Sequence, residues 1–270
     1  DHVGGLAGAL NYATVGVAYS PVSNYDSEAF SDFIKYLAKR NVGITIPKAG
    51  DSFKLGSATV TILGPISPAS DPNNSSIVLR IGYGETSFLF TGDAEREEEQ
   101  EILAKGFTLE STVLKVGHHG SESSTTYPFL RDIMPQYAVI SVGKDNSYGH
   151  PTDAVLSRLR DADVKVFRTD LQGDIICTSD GRTVTFTVDR NSDIDTLASV
   201  GPNSLQNELE QQEPEDGSGT QYVLNTNTMK LHYPSCSSVS RISEKNKEYF
   251  TGTRDELIAM GYSPCGICKP

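Results

Sequence analysis

Four of the five histidines fall in short, mostly glycine-bearing motifs: Asp1-His2-Val3-Gly4-Gly5, Gly117-His118-His119-Gly120-Ser121 and Tyr148-Gly149-His150-Pro151. A lone acid stands between them at Thr91-Gly92-Asp93. Imidazole and carboxylate ligands suit zinc, manganese or iron, and water on such an ion becomes a nucleophile near neutral pH. A fold that uses these residues together must carry loops distant in sequence to one place.

Between the motifs, short apolar runs alternate with helical patterns. Val15 to Tyr19, Val42 to Ile46, Ala58 to Leu63 and Ser76 to Ile81 are β-rich, and Asp26 or Ser27 caps a helix with Phe30, Phe33, Ile34 and Leu37 on one face. The Gly82-Tyr83-Gly84-Glu85 turn returns the chain through Ser87 to Phe90, so a hairpin delivers Asp93 to a strand end. Asp93 has a second use open to it, as a cap for the helix that follows. Strands at Thr112 to Val116 and Tyr137 to Val142 lead to His118 and His150. Each precedes a helix, Tyr127 to Met134 and Thr152 to Leu159. Val164 to Arg168, Asp174 to Thr178 and Thr183 to Val188 complete the strands. The order predicts a layered α/β fold with sheets inside and helices outside. The acidic run from Glu95 to Glu101 is expected to be the wet face of a helix whose Ile102 and Leu103 turn inward.

Acid is concentrated again between Asp193 and Asp216, in a stretch of low apolar content that ends in Gly-Ser-Gly. It predicts a flexible linker over 191–220, dividing a domain of residues 1–190 from a module of residues 221–270. The chain is 37% hydrophobic and 21% charged, an ordinary globular balance. No segment approaches the roughly 20 apolar residues of a membrane helix. A net charge of -12 argues against a generally basic nucleic-acid surface but leaves room for a phosphate substrate. The chain has no glycine loop of the phosphate-cradling kind, which gives nucleotide-binding folds little support.

The module carries three of the four cysteines. His232-x-x-x-Cys236 precedes Cys265-x-x-Cys268, spacing that suits a closed tetrahedral zinc site. A fold below roughly 70 residues needs such a staple, because its core alone is rarely sufficient. A Cys265–Cys268 disulfide is the alternative for that pair. Cys177, in a predicted strand, is expected to be a small buried hydrophobe. Lys230, Arg241, Lys245, Lys247, Arg254 and Lys269 make the module mildly basic, which fits DNA tethering and a plain zinc-stapled cap about equally.

The ordered set resembles the metallo-β-lactamase-fold hydrolases, and within them the domain that closes ComEC-type competence proteins. The matching pieces are Asp1 to Gly5, Asn74 to Leu79, Phe90 to Asp93, Leu114 to Ser121, and Ile140 to Gly143 through Tyr148 to Pro151. The resemblance implies an αββα sandwich, N-terminally truncated, followed by a small zinc-stapled α+β module. It implies two divalent ions, zinc or manganese: Asp1 and His2 on the second, Asp93 bridging, and His150 as the late histidine ligand. His118 or His119 would stand near the leaving group, with Asp1 also in the catalytic set; the alternative is that one of this pair is a ligand and His150 only supports the ligands, and which of the three histidines does which is open. Asn73, Asn74, Ser75 and Ser76 stand where many relatives carry a further histidine, which leaves a thinner shell that suits manganese as well as zinc.

The superfamily's first motif reads His-x-His-x-Asp-His, of which only Asp1-His2 is here. Two further ligands are expected upstream, so the chain by itself should gather most of the site yet bind metal and turn over weakly. Leu231 to Cys236 and Pro264 to Pro270 resemble an Ada-type metal-binding module, with His232 in place of the first cysteine. These likenesses imply a bacterial hydrolase, secreted or at the cell surface, that cleaves DNA or another phosphodiester through a metal-bound hydroxide. Hydrolysis of another ester, a lactone or a β-lactam is the alternative, and a noncatalytic DNA-binding protein is a third.

Overall fold

The structure is a computed structural model and describes residues 2–69, 71–198, 220–234, 236, 238, 239, 242–265 and 268. Asp1 and residues 199–219 of the expected linker lie outside that set. The chain divides into two compact units, Asp1–Ser204 and Leu205–Pro270.

The first unit opens with α1 (Leu6–Tyr12), β1 (Ala18–Tyr19), α2 (Glu28–Lys39) and β2 (Ile44–Thr45), the two strands pairing in parallel. Of the two candidate caps for α2, Ser27 serves: its hydroxyl accepts the Phe30 N–H at 3.2 Å. Phe30, Phe33 and Leu37 then pack with Leu10 and Ala18 in a small core. The α1 helix and the exposed strand β3 (Ser52–Leu55) are elements the apolar pattern does not announce.

A seven-stranded sheet follows in chain order: β3, β4 (Ala58–Gly64), β5 (Val78–Tyr83), β6 (Thr86–Phe90), β7 (Val113–Lys115), β8 (Tyr137–Ile140) and β9 (Lys165–Arg168). β3 to β6 are antiparallel, with tight turns joining β3 to β4 and β5 to β6 and the longer stretch 65–77 joining β4 to β5. β6 to β9 are parallel, because α3 (Arg96–Lys105), α4 (Tyr127–Ile133) and α5 (Asp153–Asp161) supply the crossovers that parallel strands require. Ile102, Phe129, Leu130, Ile133, Val155, Leu156 and Leu159 of these helices share one core with Leu89, Leu114, Ala138, Ile140 and Val166 of the sheet. After the short α6 (Thr169–Gln172), the hairpin β10 (Ile175–Ser179) and β11 (Val184–Val188) brings Phe186 onto Phe167, ring centroids 4.1 Å apart. The layered α/β sandwich expected from the sequence is present.

The Arg168 guanidinium is fully buried and donates to Asp170 and to the carbonyls of Thr196 and Ala198. A buried cation needs acceptors on every side, and the chain past residue 190 supplies two of them. One expectation needs correction: the run from Glu95 to Glu101 is not uniformly a wet face, since Glu98 and Glu99 are buried on the side that carries Ile102. Glu99 is satisfied by the Thr126 N–H at 3.0 Å and hydroxyl at 2.6 Å.

Glu98 accepts the Ile66 N–H at 2.9 Å. Burial, with the charge of Glu101 added and the Ile66 bond opposing, pushes its carboxyl up from 4.5 to about 7. A folded-state value above the unfolded one means stability that is complete below about 4.5 and lost as pH rises through about 7. Glu98→Gln keeps the acceptor without the charge. It is expected to be more stable than wild type above neutrality, by about 1–3 kcal/mol, and indistinguishable in mild acid. Urea unfolding across that pH window measures this, and parallel curves for both proteins would refute it.

In the second unit the sheet order is β14 (Lys247–Gly252), β12 (Thr220–Asn225), β13 (Lys230–His232), β15 (Ser263–Pro264). The helix α7 (Arg254–Ala259) starts at a capping box between Thr253 and Glu256. Tyr222, Leu224, Leu231, Leu257 and Tyr262 form its core.

Candidate metal centres

Leaving β6 at Phe90, the chain makes one tight turn and presents Asp93. Gly92 has φ +55, and a Cβ there would lie 2.9 Å from the Ser76 side chain, so the turn has room only for glycine. The Ser76 hydroxyl accepts the Asp93 N–H at 2.9 Å. The Asn74 amide oxygen accepts the N–H groups of Glu95 and Glu98 at 3.0 and 3.4 Å, capping α3. Asn74 and Ser76 therefore pin the acidic loop, and Asp93 stands before the helix start rather than capping it.

β7 leads into the histidine pair. His118 and His119 both lie in the left-handed region, at φ 45 and 52, where a residue with a Cβ costs on the order of 1–3 kcal/mol. The turn is held by His118 N–H to Gly92 O at 3.0 Å and Ser121 N–H to His118 O at 2.8 Å. Gly120, at φ +90, lets Pro151 approach to where a Cβ would sit at 2.6 Å, so the loop of His150 closes directly on the histidine turn.

The turn sends its two imidazoles to different partners. His119 donates from Nδ1 to the Ser141 carbonyl at 2.8 Å, because a carbonyl only accepts, and this orients the ring with Nε2 toward Asp93. That Nε2 lies 3.6 Å from Asp93 Oδ1 and 3.3 Å from His2 Nε2, while His2 Nε2 is 2.9 Å from Asp93 Oδ2. Ligand atoms of His2, Asp93 and His119 all fall within 4.8 Å of one another. Asp93 Oδ1 is buried and takes no hydrogen bond, the condition of a carboxylate oxygen that a cation would satisfy. Burial works to raise the Asp93 carboxyl, but the His2 hydrogen bond and the charges of His2, His119 and His118 hold it below its ordinary value. The donor set fits a borderline divalent ion.

His118 turns instead to Glu95, Nδ1 to Oε1 at 3.0 Å. His150, expected as a ligand, is not drawn into the three-residue cluster. Its ring lies 5.6 Å from that of His118 and 5.8 Å from Tyr148, the loop braced by Asn146 bonds to the His150 N–H and carbonyl. Among the described residues no second group of three ligands accompanies the first in this unit. Asp1 lies outside the described residues. Glu95 is the site residue the sequence did not single out; its signal was the i, i+3, i+4 stripe Glu95, Glu98, Glu99, which shares a face with Ile102.

In the second unit His232, Cys236, Cys265 and Cys268 come together, again with ligand atoms within 4.8 Å. Among the described residues the cysteines form no disulfide, which removes the Cys265–Cys268 alternative. His232 is buried, and its Nδ1 has no hydrogen-bond partner. Three thiols and an imidazole meet the requirement of a closed tetrahedral site.

Residues 1–144 match the family model described as Metallo-beta-lactamase superfamily. Over 189 residues, 70% of the chain, it is 34% identical to ComE operon protein 3 of Bacillus subtilis, and this spans 24% of that protein. It is 45% identical over 104 residues, 38% of the chain, to competence protein ComA of Neisseria gonorrhoeae, covering 15% of it. A third relative, recombination protein 2 of Haemophilus influenzae, is 37% identical over 115 residues, 42% of the chain and 14% of that protein. The chain thus spans about a quarter or less of each of these relatives. With the layered fold and the histidine–aspartate cluster at its strand ends, the match over residues 1–144 makes the chain a member of the metallo-β-lactamase superfamily of hydrolases.

Proposed function

We propose that residues 1–198 form the catalytic part of a metal-dependent phosphodiesterase that acts on DNA, with a structural zinc in the second unit. The observation that carries it is the His2–Asp93–His119 cluster, with its unsatisfied carboxylate oxygen, beside a histidine held by a carboxylate. Relatives named as a competence protein and a recombination protein favour DNA among phosphodiesters. A zinc or manganese ion at the cluster would lower the pKa of a bound water and offset charge on the phosphate. His2 and His119 present Nε2 to it and Asp93 its buried Oδ1; Asp1, next to His2 in sequence, is assigned to the same centre. His118, outside the cluster, is free to supply a proton to the departing oxygen, a role worth about 10²–10⁴ in rate.

The test uses the protein in its full natural context, stripped of metal and reloaded with manganese or zinc. Linear and plasmid DNA should be cut only after reloading. Turnover of a lactone or β-lactam with DNA left intact would replace this function with the other hydrolase chemistry, and metal-independent DNA binding without cleavage would replace it with a binding role.

A further inference from the structure

We infer that Tyr148, its ring laid against His150, is the platform on which an unpaired base of the substrate stacks, so that the metal cluster meets its DNA as a single strand. The inference deepens the phosphodiesterase function proposed above and rests on it. The two rings lie nearly parallel, with centroids 5.8 Å apart and 26° between their planes. His150 in turn meets His118 edge-on at 5.6 Å, His118 lies 6.4 Å from His119, and His119 lies 5.2 Å from His2. Five aromatic rings thus run without a break from solvent to the His2–Asp93–His119 cluster. Tyr148 closes the row at its outer end, where 81% exposure leaves most of its ring uncovered.

The platform is braced. Asn146 Oδ1 accepts the N–H groups of Tyr148 and His150 at 3.2 and 3.1 Å, and its Nδ2 donates to the carbonyls of Gly143 and His150 at 3.1 and 2.7 Å. Asp145 and Gly149 take the left-handed backbone, at φ 56 and 70, which for Asp145 is a conformation held at a cost. One amide side chain therefore closes the loop around Tyr148. A ring already ordered by its neighbours loses little freedom when a base arrives.

Charge favours this mode of recognition over grip on the backbone. With a net charge of -12 the chain gains little from neutralising phosphates, the usual source of affinity for duplex DNA. Base faces are what remains to bind, and in a duplex they are covered by their neighbours. Stacking on an aromatic ring accepts any base, since every base has a π-face, so the platform predicts a preference for single strands without a preference for sequence. Two ring steps lead from Tyr148 to His118, and a stacked strand advances about 3.4 Å per nucleotide. The base on Tyr148 then belongs to a nucleotide a few positions from the phosphate at the cluster.

Binding is measured on the full protein without metal, so that nothing is cut, by the fluorescence anisotropy of a short labelled oligonucleotide and of the blunt duplex of the same sequence. Tyr148→Ala is expected to weaken the single strand about 5–150-fold, the worth of one stacked base, and the duplex by less than about twofold. Tyr148→Phe keeps the ring and should stay within about twofold of wild type on both forms. Stacking releases no counterions, so the ratio of wild type to Tyr148→Ala should be the same at low and high salt. An abasic site walked along the oligonucleotide should, at one position, cost wild type what Tyr148→Ala loses on the intact strand, and cost the variant nothing further. A thermal melt checks that each variant is folded.

Unchanged single-strand affinity in Tyr148→Ala, equal losses on both forms, a loss in Tyr148→Phe as large as in Tyr148→Ala, or a wild type that binds neither form would each overturn the inference. Cutting after metal is restored decides the function separately. Single-strand binding that depends on Tyr148 with no cleavage would remove the phosphodiesterase and leave the platform, whereas DNA cleavage by a protein whose binding ignores Tyr148 would do the reverse.

Discussion

Asp93→Asn is expected to abolish metal loading of the first unit and with it hydrolysis, while the chain stays folded. Asp93 contacts the cluster through both oxygens: Oδ2 lies 2.9 Å from His2, and Oδ1 is buried with no hydrogen bond. An amide keeps the size, loses the charge, and puts an NH₂ where a cation should sit. Replacing even an outer partner of a ligand commonly costs 10–100-fold in metal affinity, so loss of one of three direct ligands should exceed about 100-fold. The loop should survive, because its anchors are the Asp93 N–H to Ser76, the Asn74 cap of α3 and the His118 N–H to Gly92, none of which uses the Asp93 side chain. Calorimetric titration of manganese or zinc into wild type and variant, with a thermal melt of each, separates the two effects. Metal uptake at wild-type affinity by a folded Asp93→Asn protein would remove the cluster as the metal centre.

The part of this site that the sequence revealed is the part set by local signals. A hairpin ending at Phe90 places Asp93 at a strand end, and the strand at Val113–Lys115 places the histidine pair beside it, because period-two apolar runs and glycine turns mark both. The division of labour inside His118-His119 was not legible. The two residues are chemically identical and adjacent, and what separates them is supplied from far along the chain, Glu95 for one and the Ser141 carbonyl for the other. Glu98 and Glu99 were obscured for a related reason: charge type suggests solvent, whereas position relative to Ile102 points inward, and the acceptors' partners at Ile66 and Thr126 are tertiary. The Arg168 contacts past residue 190 were hidden behind an acidic composition, since only the burial of Arg168 creates a need for the carbonyls of Thr196 and Ala198. Side-chain identity located the loops, and long-range acceptors decided what each loop does.

Removal of metal from the second unit is expected to unfold it. Among the described residues its core consists of Tyr222, Leu224, Leu231, Leu257 and Tyr262 with Phe250 against them, too little apolar surface to hold the four short strands and the six-residue helix described there. The four ligands arrive from separated segments, His232 at the end of β13, Cys236 shortly after it, and Cys265 and Cys268 beyond β15. Without a cation the group is poorly solvated: the His232 Nδ1 is buried without a partner, and burial together with Cys236 and Cys265 pushes the Cys268 thiol up to about 12. A divalent ion inverts that balance by binding thiolates, so loading should release protons and contribute folding free energy of about 10–16 kcal/mol, as in small zinc-dependent folds. In hydrogen exchange followed by mass spectrometry, peptides within 220–265 should lose protection when a strong chelator removes the metal and regain it on addition of zinc. Cys265→Ser should resemble the chelated state even with zinc present. Protection of β12 and β14 that persists after elemental analysis shows the metal gone would mean that the hydrophobic core alone sustains this fold.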